Sequence, residues 1–300
     1  MHHPIVRPHL LRTIRLLEQF LAIYAPRVYW RLKNLQARVY SWVNFGKHRQ
    51  RKRNDIELFR YLCDPGKLSI DVGAHRGTYT YPLAKYSRTV LAFEPIPHLA
   101  DLLKRIYDRS PFDVKVEAVA LSDIDAKGRV RMPVRSQGSA TLEQDNAHVN
   151  KLAESEEIAE IEVTLKRLDD YGLDDVEFIK VDVEGHQLPL IRGARNTLQK
   201  FGPSIYMEIQ NAQLPNSMLD IPESLGELGY RGYFLAGDML IAIDAFNSEL
   251  FHNPKNREVD KLHITDFFFL HRSRIEDIKR RCAHIIFLDS DNGMLDVPPC

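Results

Sequence analysis

The chain has 300 residues, of which 44% are hydrophobic and 27% charged, and its 41 basic and 41 acidic side chains leave zero formal net charge. At roughly 150 residues per domain this length suits one large α/β domain with appendages, or two domains. The composition excludes a disordered chain and one that lies in a membrane throughout. Zero net charge argues against a basic nucleic-acid-binding protein, but it is an average over an uneven chain. Residues 1–53 hold twelve Lys and Arg against one acid, Glu18, a net of +11, which leaves −11 on the remainder. A basic arm ahead of an acidic body points to an interaction surface on the arm.

The arm, residues 1–54, reads as two amphipathic helices and a linker. Leu10, Ile14, Leu17, Leu21 and Tyr24 recur at helical spacing, Pro26 interrupts, and Val28, Leu32, Leu35, Val39 and Trp42 repeat the pattern. Arg27, Arg31 and Arg38 flank the second stripe. Such a helix suits packing on the body best, with a membrane surface or a dimer seam as the other readings. Arg15 and Glu18 break the most apolar stretch, so neither a membrane span nor a signal-peptide core is expected. Cys63, Cys282 and Cys300 are too few and scattered for a disulfide framework and read as reduced thiols. A soluble, cytoplasmic chain follows, peripheral at a membrane if the arm docks there.

From residue 55 short apolar runs alternate with helical stretches, the pattern of a parallel sheet covered on both faces. The runs are 68–72, 89–93, 114–121, 176–181 and 204–209, with 230–236, 239–244 and 264–270 closing the body. Helices are expected over 99–107, 189–200, 222–228 and 275–282. Between the third and fourth strands, 129–134 and 161–168 alternate like two extra strands around a polar stretch, 136–157. A loop of that length in a compact domain is expected to be a lid or substrate loop. Ser136, Ser139, Thr141 and Asn146 are its candidate acceptor contacts, with Gly138 as a hinge. The body is placed at 55–272 and a tail at 273–300.

LSIDVGAHRGTYT, residues 68–80, carries the most information: an apolar strand runs into Asp71, then glycines at 73 and 77, then a helix start. Glycine there lets backbone approach a ligand that any Cβ would hold off. The dinucleotide fingerprint needs a middle glycine to admit a pyrophosphate, and it is missing. AFEP then puts Glu94 at the end of the second strand, 21 residues after Gly73, where a carboxylate can accept hydrogen bonds from both ribose hydroxyls. The pair suggests a nucleoside-bearing cofactor without a pyrophosphate.

Further segments add to these: FEPIPHLADLL at 93–103, VALSD at 119–123, LKRLDDY at 165–171 and FIKVDVEGHQLPLIRGA at 178–194. With IDVGAHRGTYT they resemble, in order, the FkbM-type S-adenosylmethionine-dependent methyltransferases, over about residues 55–270. The resemblance implies a class I methyltransferase (Rossmann-like) fold, a three-layer αβα sandwich on a seven-stranded, mostly parallel sheet, with the helical arm in front. It implies that Asp71, Gly73, Ala74 and Gly77 form the loop under the methionine part of the cofactor, that Glu94 holds the ribose, and that Ser122 and Asp123 border the adenine. Asp182 and Glu184 would sit beside the reactive methyl. The family often has an acid where this chain has Gln187, so no acid or metal role is carried to that position.

Methyl transfer to an alcohol requires a positioned hydroxyl and a group to take its proton. His186 has the titration range for that work, Asp182 lies at a strand end where such sheets hold ligands, and Glu208 ends the fifth strand. Each has a structural alternative: His186 as a helix cap, Asp182 as an acceptor for turn amides, Glu208 as a partner for Lys180. Asp182, Glu184 and Glu208 would make an all-oxygen magnesium site, a reading supported only by carboxylate clustering, and no metal ligand is assigned. His75 and Arg76 read as loop surface or carboxylate contacts. The expected activity is O-methylation, by S-adenosylmethionine, of a hydroxyl on a glycan, glycolipid or secondary metabolite, with no nucleic-acid partner for the body. The alternatives are an NAD-dependent oxidoreductase and a non-catalytic docking protein on a methyltransferase-like body.

Overall fold

The structure, a computed structural model, describes residues 55–210, 217–236, 238–251 and 264–289; the basic arm with its expected helices, Cys300 and the end of the tail lie outside the described residues. The chain enters through α1 (Asp55–Leu62), whose first turn carries Asp55 and Glu57 and whose last turn carries Arg60, charges that match the helix dipole. Next come β1 (Leu68–Val72), α2 (Thr80–Tyr86), β2 (Thr89–Phe93), α3 (Pro97–Tyr107), β3 (Val114–Glu117), β4 (Ala120–Leu121) and β5 (Ala126–Pro133). They are followed by α4 (Ala147–Leu152), β6 (Ile158–Lys166), β7 (Val176–Val181), α5 (Gln187–Gly193), α6 (Arg195–Phe201) and β8 (Ser204–Glu208). The described chain ends with α7 (Ser217–Glu227), β9 (Tyr230–Ala236), β10 (Met239–Ala242), α8 (Ser248–Phe251), β11 (Asp266–His271), α9 (Ile275–Arg281) and β12 (Ile286–Leu288).

One large sheet runs β12-β10-β9-β11-β8-β7-β1-β2-β3, and a small one runs β4-β6-β5. The five strands from β3 to β8 are parallel, while β11 is antiparallel to both β8 and β9. The class I methyltransferase fold is therefore present, with nine described strands in its main sheet instead of seven. The additions lie at one edge: β10 returns antiparallel on β9, and β12 pairs parallel with β10. Three residues are too few to show a period in sequence, so β12 was not legible. Residues 273–289, read as a tail, thus contribute α9 and a strand of this sheet.

The apolar run 114–121 is two strands in two sheets. β3 pairs with β2, while β4 pairs with Leu165 and Lys166 of β6. β3 alternates Val with Lys and Glu while β4 is Ala and Leu, and no turn residue marks the crossing between them. The two extra strands are β5 and β6, paired antiparallel from Ala126↔Leu165 to Pro133↔Ile158. The helical run 189–200 is α5 and α6, which break at Ala194.

Alternation along the strands sorts the core onto two faces. Ile205 and Met207 join Ile70, Val72, Ile179 and Val181 in a cluster with Leu190, Ile191, Leu198 and Leu225 from α5, α6 and α7. Tyr206 and Phe268 point the other way, into a cluster with Leu58, Phe59 and Leu62 of α1, Leu83 of α2 and Ile278 of α9. Helices thus cover both faces, which leaves the strand ends as the place for a site. Cys63 and Cys282 are free and buried in the second cluster. No helix among the described residues is long and apolar enough to cross a membrane.

Candidate active site

β1 and β7 bring Asp71 and Lys180 together beneath the glycine turn. Asp71 is fully buried and accepts a hydrogen bond from Thr80 Oγ1 at 2.6 Å. Lys180, 2% exposed, sets its Nζ 3.2 Å from Asp71 Oδ1 and donates to the carbonyls of Gly73 at 2.8 Å and Val72 at 3.2 Å. Burial lowers the Lys180 pKa, but the charges of Asp71 and Asp182 outweigh it and raise the pKa above the ordinary lysine value, so the ammonium stays charged. Asp182 Oδ2 lies 3.8 Å away. Lys180 therefore pairs with Asp71 and Asp182, and not with Glu208 as the sequence alternative had it.

The turn itself is bare backbone. Gly73 has φ 74° and Gly77 φ 81°. A Cβ at Gly73 would stand 1.9 Å from the Asp182 carbonyl oxygen, so a side chain there would drive the loop off the end of β7. Gly73 and Ala74 donate their N–H groups to the Phe93 carbonyl, both at 3.0 Å. Glu94, 3% exposed, is no surface acid. Its Oε2 accepts from His75 N at 2.7 Å and its Oε1 from Ile96 N at 2.9 Å, so one carboxylate joins the glycine turn to the start of α3. Burial pushes its pKa up to about 7, against the pull of those two amides. Each oxygen keeps a second lone pair for a ligand.

Gly73, His75, Glu94 and Ile96 line a cleft that is open to solvent at its mouth. Pro95, Ile96, Val119 and Leu121 contribute apolar lining, and Val130, Gln137, Gly138, Ala140 and Leu142 from the insertion complete it, with Ile96, Val130, Ala140 and Leu142 packed in one cluster. Ser136, Ser139, Thr141 and Asn146, the expected acceptor contacts, are not among the residues lining the cleft. Thr141 and Asn146 are each 1% exposed and donate to the Glu184 carbonyl at 2.6 and 2.8 Å. Ser136 bonds Glu156, and Ser139 faces His148. Arg76 reaches Gln137 Oε1 at 3.2 Å, and His75 lines the cleft.

His186 occupies the N-cap position of α5 but makes no side-chain cap bond. Its Nδ1 lies 2.6 Å from Glu143 Oε1 and its Nε2 2.9 Å from Ser122 Oγ. Ser122, 2% exposed, also reaches Asp123 Oδ1 at 3.3 Å, and Asp123 pairs with Arg192 at 2.8 Å. Ser122 and Asp123 thus follow β4 and lie behind the cleft wall, next to Leu121, while His186 lines the cleft itself and reaches back to Ser122.

Asp182, Glu184 and Glu208 bring carboxylate oxygens within 4.8 Å of one another. Asp266 stands opposite Glu208 across the β8 and β11 pairing. Burial, then the charges of Asp182, Asp266 and Glu184, push the Glu208 carboxyl far above the usual carboxylate range, so it shares a proton with the hydrogen-bonded Asp182. Gln187, at the position where the family often has an acid, donates to the Glu208 carbonyl at 2.9 Å. Lys180, which also pairs with Asp71, offsets part of the cluster's charge, and carboxylate clustering remains the sole argument for magnesium.

Sequence reasoning missed two contributors, Glu143 and Thr80, and gave a third, Lys180, the wrong partner. Glu143 carries no motif, Thr80 sits in the first turn of α2, and Lys180 looks like any lysine in an apolar strand. Its place one residue after an inward-facing Ile179, in a strand buried along its whole length, was the available signal.

A five-stranded parallel core continued by an antiparallel strand, with a glycine turn after β1 and a buried acid at the end of β2, is the arrangement of the class I methyltransferase fold. Residues 71–231 match the methyltransferase FkbM domain. The chain belongs to that family. It is 29% identical over 153 residues to the hexuronic acid methyltransferase AglP of Haloferax volcanii, covering 49% of this chain and 59% of that one. It is also 29% identical over 141 residues to methyltransferase 1 of Beauveria bassiana, covering 41% and 57%. The matches thus span less than two thirds of those relatives' lengths. The crystal structure of an FkbM methyltransferase from Methylobacillus flagellatus resembles it with a TM-score of 0.44 at 16% identity, over 69% of this chain and 44% of that one.

Proposed function

We propose that the chain is an S-adenosylmethionine-dependent O-methyltransferase acting on an uncharged hydroxyl of a glycan, glycolipid or secondary metabolite. The observation that carries this reading is the pairing, in an FkbM-family chain, of a bare-backbone turn at Gly73 with a buried Glu94 whose free lone pairs face the cleft. Those parts fit a nucleoside and an amino-acid tail with no pyrophosphate between them, which disfavours NAD. The cofactor would supply an electrophilic methyl group. Glu94 would hold the ribose hydroxyls, the turn after Asp71 the amino-acid end, and the apolar end at Ile96 and Leu121 the purine.

What the protein must add is orientation of the acceptor and removal of its proton. Asp182 suits the second role, because it is 31% exposed at its side chain, ends β7 and stands between Lys180 and the protonated Glu208. Glu208 holds a proton that Asp182 shares, so Asp182 is the proposed base and Glu208 its positioning partner. A carboxylate-bearing acceptor such as a hexuronic acid would meet Asp182, Glu184 and Asp266 here, and like charges at this range cost affinity. An uncharged hydroxyl avoids that cost.

Calorimetry with S-adenosylmethionine and with NAD tests the cofactor, and binding of NAD alone overturns the reading. Methyl transfer from labelled cofactor into neutral and uronate-rich glycan extracts tests the acceptor. Asp182→Asn is expected to lower that turnover by about 10²–10⁴-fold, the usual scale for a general base, with cofactor affinity nearly unchanged. Equal turnover would return Asp182 to a purely structural role.

A further inference from the structure

The cofactor cleft is closed on one side by an insertion that the sequence presents as a polar lid, and the structure shows how that wall is fastened. Two successive points on the turn after β7 receive it. The Glu184 carbonyl, on a residue with a left-handed φ of 48°, accepts from both Thr141 and Asn146. Two residues further on, the His186 ring meets Glu143 at 2.6 Å. Thr141 and Asn146 are each 1% exposed, so this is a buried seam and not a loop resting on a surface. The cleft-facing side of the same segment is Gln137, Gly138, Ala140 and Leu142, of which Ala140 and Leu142 pack in the cluster of Ile96.

We propose that Glu143 and His186 are positioning residues that latch the insertion over the purine end of the cleft, with His186 acting through Ser122 and not as the base of methyl transfer. The inference rests on the cofactor reading above. Hydrogen accounting supports it. In the neutral ring, Nδ1–H donates to Glu143 and Nε2 accepts from the Ser122 hydroxyl; in the protonated ring, Nε2–H donates to Ser122 Oγ, whose hydrogen then turns to Asp123. Neither state leaves a nitrogen lone pair for an acceptor's proton.

Ser122, His186 and Glu143 also have the connectivity of a nucleophilic serine relay. Ser122 does not serve as a nucleophile, because it is 2% exposed and its backbone is pressed against α5, where a Cβ on Gly193 would come within 1.8 Å of the Ser122 carbonyl oxygen. What the relay does is tie His186, which lines the cleft, to the buried Ser122 hydroxyl on one side and to Glu143 of the insertion on the other. The purine end is thereby shaped by residues far apart in the chain, from Ser122 to His186, brought together at one strand end.

The test is calorimetric titration of the full chain and its variants with S-adenosylhomocysteine and with adenosine, which lacks the amino-acid tail. Glu143→Ala and His186→Ala are expected to weaken both ligands by the same factor, roughly tenfold or more, the scale of one buried charge-assisted hydrogen bond. Glu143→Gln, which keeps an acceptor for Nδ1–H, is expected to recover most of that loss, a rescue that general destabilisation does not produce. Adenosine is expected to protect residues 134–157 from limited proteolysis in the wild type and not in Glu143→Ala. If the wild type binds both ligands and the alanine variants bind them equally well, the latch is overturned while the cofactor reading stands. If the wild type binds neither, the cofactor reading falls and the latch with it.

Discussion

Lys180→Met is the perturbation with the largest effect expected from the geometry. The ammonium is 2% exposed and stands 3.2 Å from Asp71, which is itself fully buried. Methionine keeps the apolar stem and removes the charge, the ion pair and the two bonds to the carbonyls of Val72 and Gly73. Removing one partner of a buried pair typically costs about 3–5 kcal/mol, because the remaining charge is left without compensation. At about 2–4 °C per kcal/mol for a domain of this size, Tm is expected to fall by roughly 6–20 °C. Adding Asp71→Asn relieves the orphaned charge while keeping a side-chain oxygen for Thr80. The double variant is therefore expected to be more stable than the sum of the two singles by about 1–3 kcal/mol. Urea denaturation of all four proteins measures the cycle. A single variant within about 1 kcal/mol of wild type, or strict additivity, would refute the claim that the charge pair holds the glycine turn.

Two further outcomes follow from the same strand ends. The Glu208 carboxyl is raised above its ordinary 4.5 by burial and by Asp182, Asp266 and Glu184, so its contribution to stability is complete below that value and is lost progressively as pH rises toward the shifted one. Glu208→Gln is expected to flatten that decline, giving equal Tm near pH 4.5 and a Tm several degrees above wild type near pH 9; parallel Tm profiles would remove the proton from Glu208. Gly73→Ala is expected to cost about 1–2 kcal/mol from the left-handed backbone alone. The 1.9 Å approach to the Asp182 carbonyl adds to that cost and should abolish S-adenosylhomocysteine binding, whereas retained affinity in calorimetry would show that the turn moves freely.

The central architecture was legible because its signals are local. An apolar strand, a glycine turn and a strand-end acid announce β1, β2 and their ligand edge, and Asp71, Gly73, Glu94 and Asp182 do converge on one cleft and the turn beneath it. The insertion was legible as two strands for the same reason, since β5 and β6 alternate over eight and nine residues. Its job was not. Thr141 and Asn146 resemble ligand contacts in sequence, and only the fold reveals that the Glu184 carbonyl takes both. Glu143 was invisible because its partner, His186, lies 43 residues away. Lys180 was misassigned because period-2 alternation tells which face a residue joins, not which of several nearby acids it meets.

The arrangement of charge at this edge answers a difficulty that an acidic site poses for a sulfonium methyl donor. Carboxylates attract a cationic donor, but attraction that is equal in the ground state and the transition state gains nothing in rate, and attraction that fades as the positive charge is dispersed slows transfer. Four ionised acids at Asp182, Glu184, Glu208 and Asp266 would have that effect. Lys180 offsets part of the negative charge from below, and the proton on Glu208 removes more. What remains ionised is Asp182 with Glu184 and Asp266, and Asp182, as the proposed base, would lose its charge by taking the proton of the acceptor alcohol. The net −11 of residues 54–300 therefore says less about function than the pairing of individual acids does.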